Sequence, residues 1–282
     1  MEVAEADIFA RATAPATDAR PMPRALLVFA HPDDETIALG ARLPRFAGAH
    51  LLHVTDGVPA NGADSLAHGF HSLLEYRSAR WQEMDRALEL SDLAHMSRGR
   101  FDIPDQEASF QLSGLTRRLA AIFRRRRPQV IFTHPYEGGH PDHDACAFAV
   151  HHAVSMLGSM NEAVPLIVEA PFYHAGSQGI ETGVFLPADP PEPEVIYPLS
   201  AREQQGKRTL LSCFVSQQET LQYFGTQEER YRVAPAYDFR RPPHWGGVFY
   251  DNYSWGLTSP DFCKVAAEAE DALDEEMNTA CC

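Results

Sequence analysis

Short runs of unbroken apolar residues alternate along the first two thirds of the chain with longer stretches of helical character. The segments 25–30 (Ala-Leu-Leu-Val-Phe-Ala), 50–55, 130–133 and 165–169 read as strands, the first having the continuous hydrophobicity of a strand buried on both faces. Between them, 36–46, 72–90, 112–127 and 140–156 read as helices, the third stopped by Pro128. Asp56-Gly57 is a turn signal closing the second strand, and Ile103-Pro104-Asp105 reads as a break. Strands alternating with helices predict βαβ units and a doubly wound, mostly parallel α/β sheet. Beyond Tyr173 the pattern loosens: 187–198 reads as a Pro- and Glu-rich loop, 200–224 as a helix, and 233–256 as irregular, aromatic and Pro-rich. The organisation expected is a flexible N-terminal arm over 1–23, a single domain over 24–265 with an irregular C-terminal elaboration, and an acidic tail over 266–282.

Composition narrows the partners. The 282 residues are 44% hydrophobic, enough for a sizeable core, and 39 acids against 24 bases give a net charge of −15. That balance disfavours nucleic acid and anionic membranes, which need a basic face. The Arg117, Arg118 and 124–127 run reads as a solvated helix end favoured by the dipole. No apolar stretch approaches the ~20 residues of a membrane helix. Residues 1–20 carry Glu2, Glu5 and Asp7 without an apolar block, so no secretory signal is expected. Cys146, Cys213, Cys263, Cys281 and Cys282 are odd in number, irregularly spaced and without a CxxC, which predicts neither a disulfide framework nor a thiolate zinc site and makes the cytoplasm the default. Cys281-Cys282 lacks a preceding polybasic stretch and reads as an exposed end rather than a prenylation signal. Ser212, Cys213 and Ser216 make no nucleophile case, because no G-x-S-x-G occurs.

The chemistry concentrates where strands end. In open α/β sheets ligands bind beyond the carboxyl ends of the strands. His31-Pro32-Asp33-Asp34-Glu35 follows the first strand, and 134–143 (His-Pro-Tyr-Glu-Gly-Gly-His-Pro-Asp-His) follows the strand ending at Thr133. A dinucleotide fold would place G-x-G-x-x-G after the first strand; an imidazole and three acids there repel a pyrophosphate and attract a divalent cation. Two imidazoles and a carboxylate with a fourth position open to water make a hydrolytic zinc set. His31-x-x-Asp34 can supply two ligands, and His140-x-x-His143 supplies candidates for the third. Asp33 is then free to act as general base on water activated by the metal. Taken singly, each cluster also fits a helix cap, with Asp33, Asp34 and Asp142 worth about 0.3–1 kcal/mol apiece against a helix dipole or amide. Two such clusters at two strand ends favour the metal.

These motifs, in this order, resemble the LmbE-like or PIG-L family of zinc-dependent de-N-acetylases. The resemblance runs over about 24–172, includes Val54-Thr55-Asp56-Gly57, and continues faintly at 207–231, where Ser216-Gln217 and Glu229 resemble the family's C-terminal helix. It implies a Rossmann-like fold, His31, Asp34 and His143 as zinc ligands, and Asp33 as base. It also implies His140 at the oxyanion or the leaving amine, with Asp142 orienting it. Family members remove acetyl groups from N-acetylglucosamine-type sugars, and some are amidases on thiol conjugates. An R-x-x-E pattern that contacts substrate in the family fits Arg80, with Arg77 one turn earlier as the alternative, and Asp105 resembles a family acid that holds sugar hydroxyls. The chain departs from the pattern where some members carry a Tyr two residues before the first His of the second motif: here that residue is Gly138.

The expected activity is therefore hydrolysis of an N-acetyl or related N-acyl group on a small-molecule amino sugar or sugar conjugate. Zn²⁺ is the expected cofactor; Fe²⁺, Co²⁺ or Mn²⁺ also suit such a site. Alternatives are an amidase on a thiol-sugar conjugate or other amide, and a non-catalytic metal- or carbohydrate-binding descendant. A two-metal phosphoesterase would need bridging carboxylates beyond the one ligand set found. His151 and His152 lie a turn or more beyond the cluster and are set aside as ligands. The aromatic loops around His174 and His244 are candidates for sugar stacking or a second acid. The loops 61–71 and 237–255 are expected to shape the substrate pocket, and homo-oligomerisation is left open.

Overall fold

The computed structural model describes residues 3–280, with side chains to residue 277. Its elements are α1 (Val3–Ala12), β1 (Ala25–Phe29), α2 (Asp34–Leu39), β2 (His50–Pro59), α3 (Ala63–Ala67), α4 (Leu73–Leu90), β3 (Ser97–Asp105), α5 (Leu112–Arg126), β4 (Val130–Thr133) and α6 (Pro141–Ser159). There follow β5 (Leu166–Glu169), β6 (Tyr173–Gly176), β7 (Gly179–Thr182), β8 (Glu194–Pro198), α7 (Ala201–Leu211), α8 (Gln218–Leu221), β9 (Glu228–Val233) and α9 (Ser259–Ala280).

Seven strands form one sheet in the order β3-β2-β1-β4-β5-β9-β8. The first five are parallel, with Leu27 opposite Leu51 on one side and Phe132 on the other. β9 and β8 extend the sheet antiparallel, and β6 and β7 make a separate hairpin. The order reverses between β1 and β4, so the crevice of a doubly wound sheet opens between the chain ends that follow these two strands. Alternation along β1 feeds two cores. Leu26 and Val28 pack with α5, α6 and α9; Leu27 and Phe29 pack with α1, α2, α4 and α7. The added strands are tied in by a buried ionic knot, in which Glu229 on β9 accepts from Arg42, from Lys207 Nζ at 3.1 Å and from the Ala41 amide at 2.8 Å.

Several expectations change. The arm expected over 1–23 contains α1, whose Phe9 and Ala12 are buried against the sheet. The acidic tail expected over 266–282 is, as far as it is described, the second half of α9, with Ala266, Ala269 and Leu273 buried. Cys281 and Cys282 lie outside the described residues. The break at 103–105 is the end of strand β3, β2 runs on through Asp56-Gly57, and the loop over 187–198 contains β8. The helix expected over 200–224 is split into α7, a 3₁₀ turn at Val215–Gln217 and α8. Glu229 stands on a strand rather than on a C-terminal helix. Among the described residues, no helix is long and apolar enough to cross a membrane.

Candidate active site

The β1–α2 and β4–α6 turns bring the two sequence clusters together at the crevice. His31, Asp34 and His143 meet through the Asp34 carboxylate: Oδ2 lies 3.5 Å from His31 Nδ1 and Oδ1 lies 3.5 Å from His143 Nε2. Ligand atoms ~2.0–2.2 Å from a tetrahedral zinc lie ~3.3–3.6 Å apart, so these separations suit a small cation between the groups. The same crevice contains three groupings whose ligand atoms all lie within 4.8 Å of one another: His31-His140-His143, His31-Asp105-His140-Asp142 and Asp34-His134-His143.

Hydrogen bonding separates ligands from supports. His31 Nε2 faces Asp105 Oδ1 at 3.1 Å and Asp142 Oδ2 at 3.2 Å and so carries a proton, which leaves Nδ1, facing Asp34, as the nitrogen that could bind a cation once deprotonated. His140 Nδ1 accepts the Asp142 N–H at 3.1 Å, so the neutral ring carries its proton on Nε2 and is a donor to the cavity rather than a ligand. His134 Nε2 accepts the Ala30 N–H at 3.0 Å, and its ring stacks on His143 with centroids 3.9 Å apart, fixing that imidazole. His31 and His143 thus approach different oxygens of the Asp34 carboxylate, and these three together are not one of the groupings above; what fits a divalent cation is their donor chemistry, two imidazoles and a carboxylate. Although burial opposes charge at both groups, Asp105, Asp142 and Asp34 raise the His31 imidazole well above its usual range. His143 and His134 likewise hold Asp34 well below the usual carboxylate range.

Asp33 stands at the N-cap of α2, but its side chain does not cap the helix. It sits at φ 141° with no side-chain capping bond, in backbone that costs a non-glycine residue about 1–3 kcal/mol. Its carboxylate instead meets Arg80 Nη2 at 3.1 Å. Burial pushes Asp33 well above the usual carboxylate range, while Arg80 pulls it back. Arg80 is itself buried and donates to the Gly57 and Pro32 carbonyls, with Asp105 Oδ2 3.6 Å away. Glu83, the other end of the R-x-x-E pattern, accepts from the Ser216 amide and hydroxyl and so pins the loop that carries Gln217 to the cavity. Arg77 points elsewhere, pairing with Asp56 at 2.5 Å outside the cavity lining. Asp142 differs from expectation: its carboxylate lies 3.9 Å from His140 Nδ1 and is committed to the Gln106 and Ala108 amides and to His31. It orients His140 only through its backbone N–H. Asp105 is also engaged with protein groups, His31 at 3.1 Å above all.

A cavity of about 270 Å³ lies over these groups. Its far wall holds residues the motifs did not single out: Asp64 from the 61–71 loop, Phe224 beyond α8, and Tyr253 and Trp255 from the 237–255 segment. Tyr173, at the start of β6, also lines it, and its hydroxyl makes no hydrogen bond among the described residues. The glycines beside it explain why a Tyr cannot stand at position 138. Gly138 has φ +71°, and a Cβ there would lie 2.7 Å from Val248; a Cβ on Gly139 would lie 2.0 Å from the Tyr173 carbonyl oxygen. Tyr136 is buried in the core with its hydroxyl on the Arg241 carbonyl, and Glu137 accepts the Phe172 and Tyr173 amides, holding the β5–β6 connection over the site. His174 and His244, with rings 6.3 Å apart, do not line the cavity. His151 and His152 face Glu169 and Glu270, away from it.

Residues 26–154, which carry all of these motifs, match the family described as GlcNAc-PI de-N-acetylase, PIG-L. Over this stretch, 129 of the 282 residues, the chain is similar to that family. Over 172 residues it is 33% identical to the 1D-myo-inositol 2-acetamido-2-deoxy-alpha-D-glucopyranoside deacetylase of Thermobifida fusca, a stretch covering 53% of this chain and 58% of that protein. The matches span about half the length of such relatives. The fold is similar to that of the A40926 pseudoaglycone deacetylase Dbv21, with TM-score 0.56 and 14% identity over 75% of this chain and 96% of that one. It is also similar to GalB, the 4-carboxy-2-hydroxymuconate hydratase of Pseudomonas putida, with TM-score 0.53 and 17% identity over 77% and 98%. A deacetylase and a hydratase thus share a similar fold, so the reaction has to be argued from the site.

Proposed function

We propose that the protein is a metal-dependent hydrolase that removes an N-acetyl group from an amino sugar or sugar conjugate, releasing acetate and a free amine. The observation that carries this reading is the Asp33–Arg80 pair beside the His31, Asp34 and His143 set: a buried carboxylate held 3.1 Å from a guanidinium and not used as a ligand or a cap. Deacetylation is also the activity for which the similar protein from Thermobifida fusca and the A40926 pseudoaglycone deacetylase Dbv21 are named. His31 Nδ1, Asp34 and His143 Nε2 would hold the cation, with Zn²⁺ the first choice and Fe²⁺, Co²⁺ or Mn²⁺ suited to the same donors. When bound, the cation supplies Lewis acidity and lowers the pKa of water.

The chain's own groups do the rest. Asp33 takes the proton of the attacking water, its raised pKa fitting it to hold that proton near neutrality. Arg80 fixes Asp33 and keeps the carboxylate available. His140 Nε2–H, 3.5 Å from Asp105 Oδ1, and the Tyr173 hydroxyl are donors among the groups lining the cavity, and they serve the carbonyl oxygen as charge develops there. Asp33 or His140 then delivers a proton to the departing amine. Tyr253 and Trp255, stacked with centroids 4.6 Å apart, offer an aromatic wall to the sugar. The reading includes action in the cytoplasm, on a small molecule, without nucleic acid or membrane insertion.

The test is acetate release from a panel of N-acetylated amino sugars, with and without chelator. Chelator-sensitive release is expected. Release that survives complete metal removal, or none from any member, would overturn the reading.

A further inference from the structure

His53 is an imidazole in an apolar layer. It stands two residues beyond Leu51 on β2, on the same face, and opposite Phe29 of β1. Leu51 and Phe29 both belong to the core shared with α2 and α4, and the His53 side chain is fully buried among them. A polar side chain in such a place is costly unless it is bonded. Its one hydrogen bond among the described residues joins Nε2 to Glu35 Oε2 at 3.1 Å, while Nδ1 is buried without a partner. Trp81, the neighbour of Arg80 on α4, lies edge-on to the ring with centroids 5.3 Å apart.

Glu35 is equally buried. The same Oε2 accepts the Asp33 N–H at 3.2 Å, and Oε1 accepts the Thr36 hydroxyl at 2.9 Å. Neither Glu35 nor His53 lines the cavity; the cavity-lining group to which these bonds lead is Asp33.

Asp33 needs such a hold. Its φ of 141° lies where L side chains seldom go, and backbone of that kind persists only where its surroundings over-determine it. Three tethers act here. The carbonyl accepts the Thr36 and Ile37 amides at 2.9 and 3.0 Å, the carboxylate meets Arg80 at 3.1 Å, and the N–H is held by Glu35. An ordinary residue at a helix N-cap turns its own side chain onto the helix amides. With its peptide held at this φ, Asp33 leaves those amides and faces Arg80. An acid in the first turn of a helix also has a purely stabilising use, but that use needs no imidazole in the core behind it.

We infer that Glu35 and His53 are positioning residues for Asp33: the imidazole fixes the carboxylate, and the carboxylate fixes the peptide on which the base stands. This deepens the deacetylase reading above and rests on it.

The experiment separates positioning from plain stability by removing both polar partners together, since apolar groups of similar size in place of a buried pair are often neutral for stability. Glu35→Met/His53→Leu should unfold near the wild-type temperature and bind about one cation per chain, while kcat falls by about 10–10²-fold with KM little changed. Built into Asp33→Asn, the same two changes should lower the residual rate by less than about twofold, because the base they place is gone. His53→Gln, which keeps a donor toward Glu35, should recover most of the kcat lost in His53→Leu. All rates are taken on the N-acetylated amino sugar turned over fastest in the panel above. Wild-type kcat in the double variant, or an equal fall in the Asp33→Asn background, would overturn the positioning role while leaving the deacetylase reading intact. Should the double variant not fold, equal kcat in His53→Leu and His53→Gln would overturn it. No acetate from the wild-type protein would overturn both.

Discussion

Tyr173 lines the cavity with a hydroxyl that has no hydrogen-bond partner among the described residues, on a ring otherwise packed against His143, Phe249 and Phe224 at 5.4–6.1 Å. Burial and the nearby Asp34, Asp105, Glu137 and Asp33 carboxylates raise its pKa well above the ordinary phenol, so it remains a donor. Tyr173→Phe keeps the packing and removes only that donor. We expect kcat to fall by about 10²-fold, as for loss of one oxyanion donor, with KM and metal content unchanged. An unchanged kcat in steady-state assays would remove Tyr173 from the chemistry. This residue was not legible from the motifs, because it reaches the site through the β5–β6 connection rather than through either histidine cluster. Gly138 signalled the gap but not what fills it. His31, Asp33, Asp34, His140 and His143 were legible, because each cluster is contiguous and sits at a strand end. Arg80 and Arg77 could not be separated by spacing, since residues three apart share a helix face. Burial and the contact with Asp33 decide between them.

At the level of elements, β1 and β4 were readable because their apolar runs are nearly continuous and buried, and β2 and β5 because Leu51-Leu52 and Leu166-Ile167-Val168 keep that character. β3 and β8 were not, and both are edge strands. Their burial alternates, leaving half the positions polar, and β3 tolerates Pro104 as an edge strand can. The C-terminal helix was obscured differently: Phe262, Ala266, Ala269 and Leu273 recur at spacings of four, three and four, but Glu268, Glu270 and Asp271 lie among them and more acids follow. The buried stripe makes α9 part of the core. Leu273→Ala should therefore cost about 2–5 kcal/mol in denaturant unfolding. A tail would show no change.

On the scale of the whole molecule, the net charge of −15 is not spread evenly. Asp33, Asp34, Asp105 and Asp142 converge on one crevice at the sheet's switch point, and among the described residues Arg80 is the one Lys or Arg lining the cavity over them. That explains why the chain lacks a phosphate-binding glycine loop on a dinucleotide-type sheet: the same crevice has been made acidic. Stability should carry its own pH signature, away from this site. Burial, with Arg126 and Arg125 adding to it, lowers the His50 imidazole from 6.5 to about 4. Between those values the unfolded chain binds the extra proton, so stability is retained above pH 6.5 and lost as pH falls toward 4. Thermal unfolding at pH 7 and pH 5 should show this fall, and His50→Gln should lessen it; an equal fall in the variant would remove His50 as its source.

The central claim is that His31, Asp34 and His143 hold one cation while Asp33 works as the base beside it. Metal content and acetate release, measured together on wild type, Asp33→Asn and His143→Ala, test it most directly. The account predicts about one cation per chain in wild type and in Asp33→Asn, with turnover lost only in the latter by about 10²–10⁴-fold, and little cation in His143→Ala. Full turnover in Asp33→Asn, or undiminished metal in His143→Ala, would contradict it.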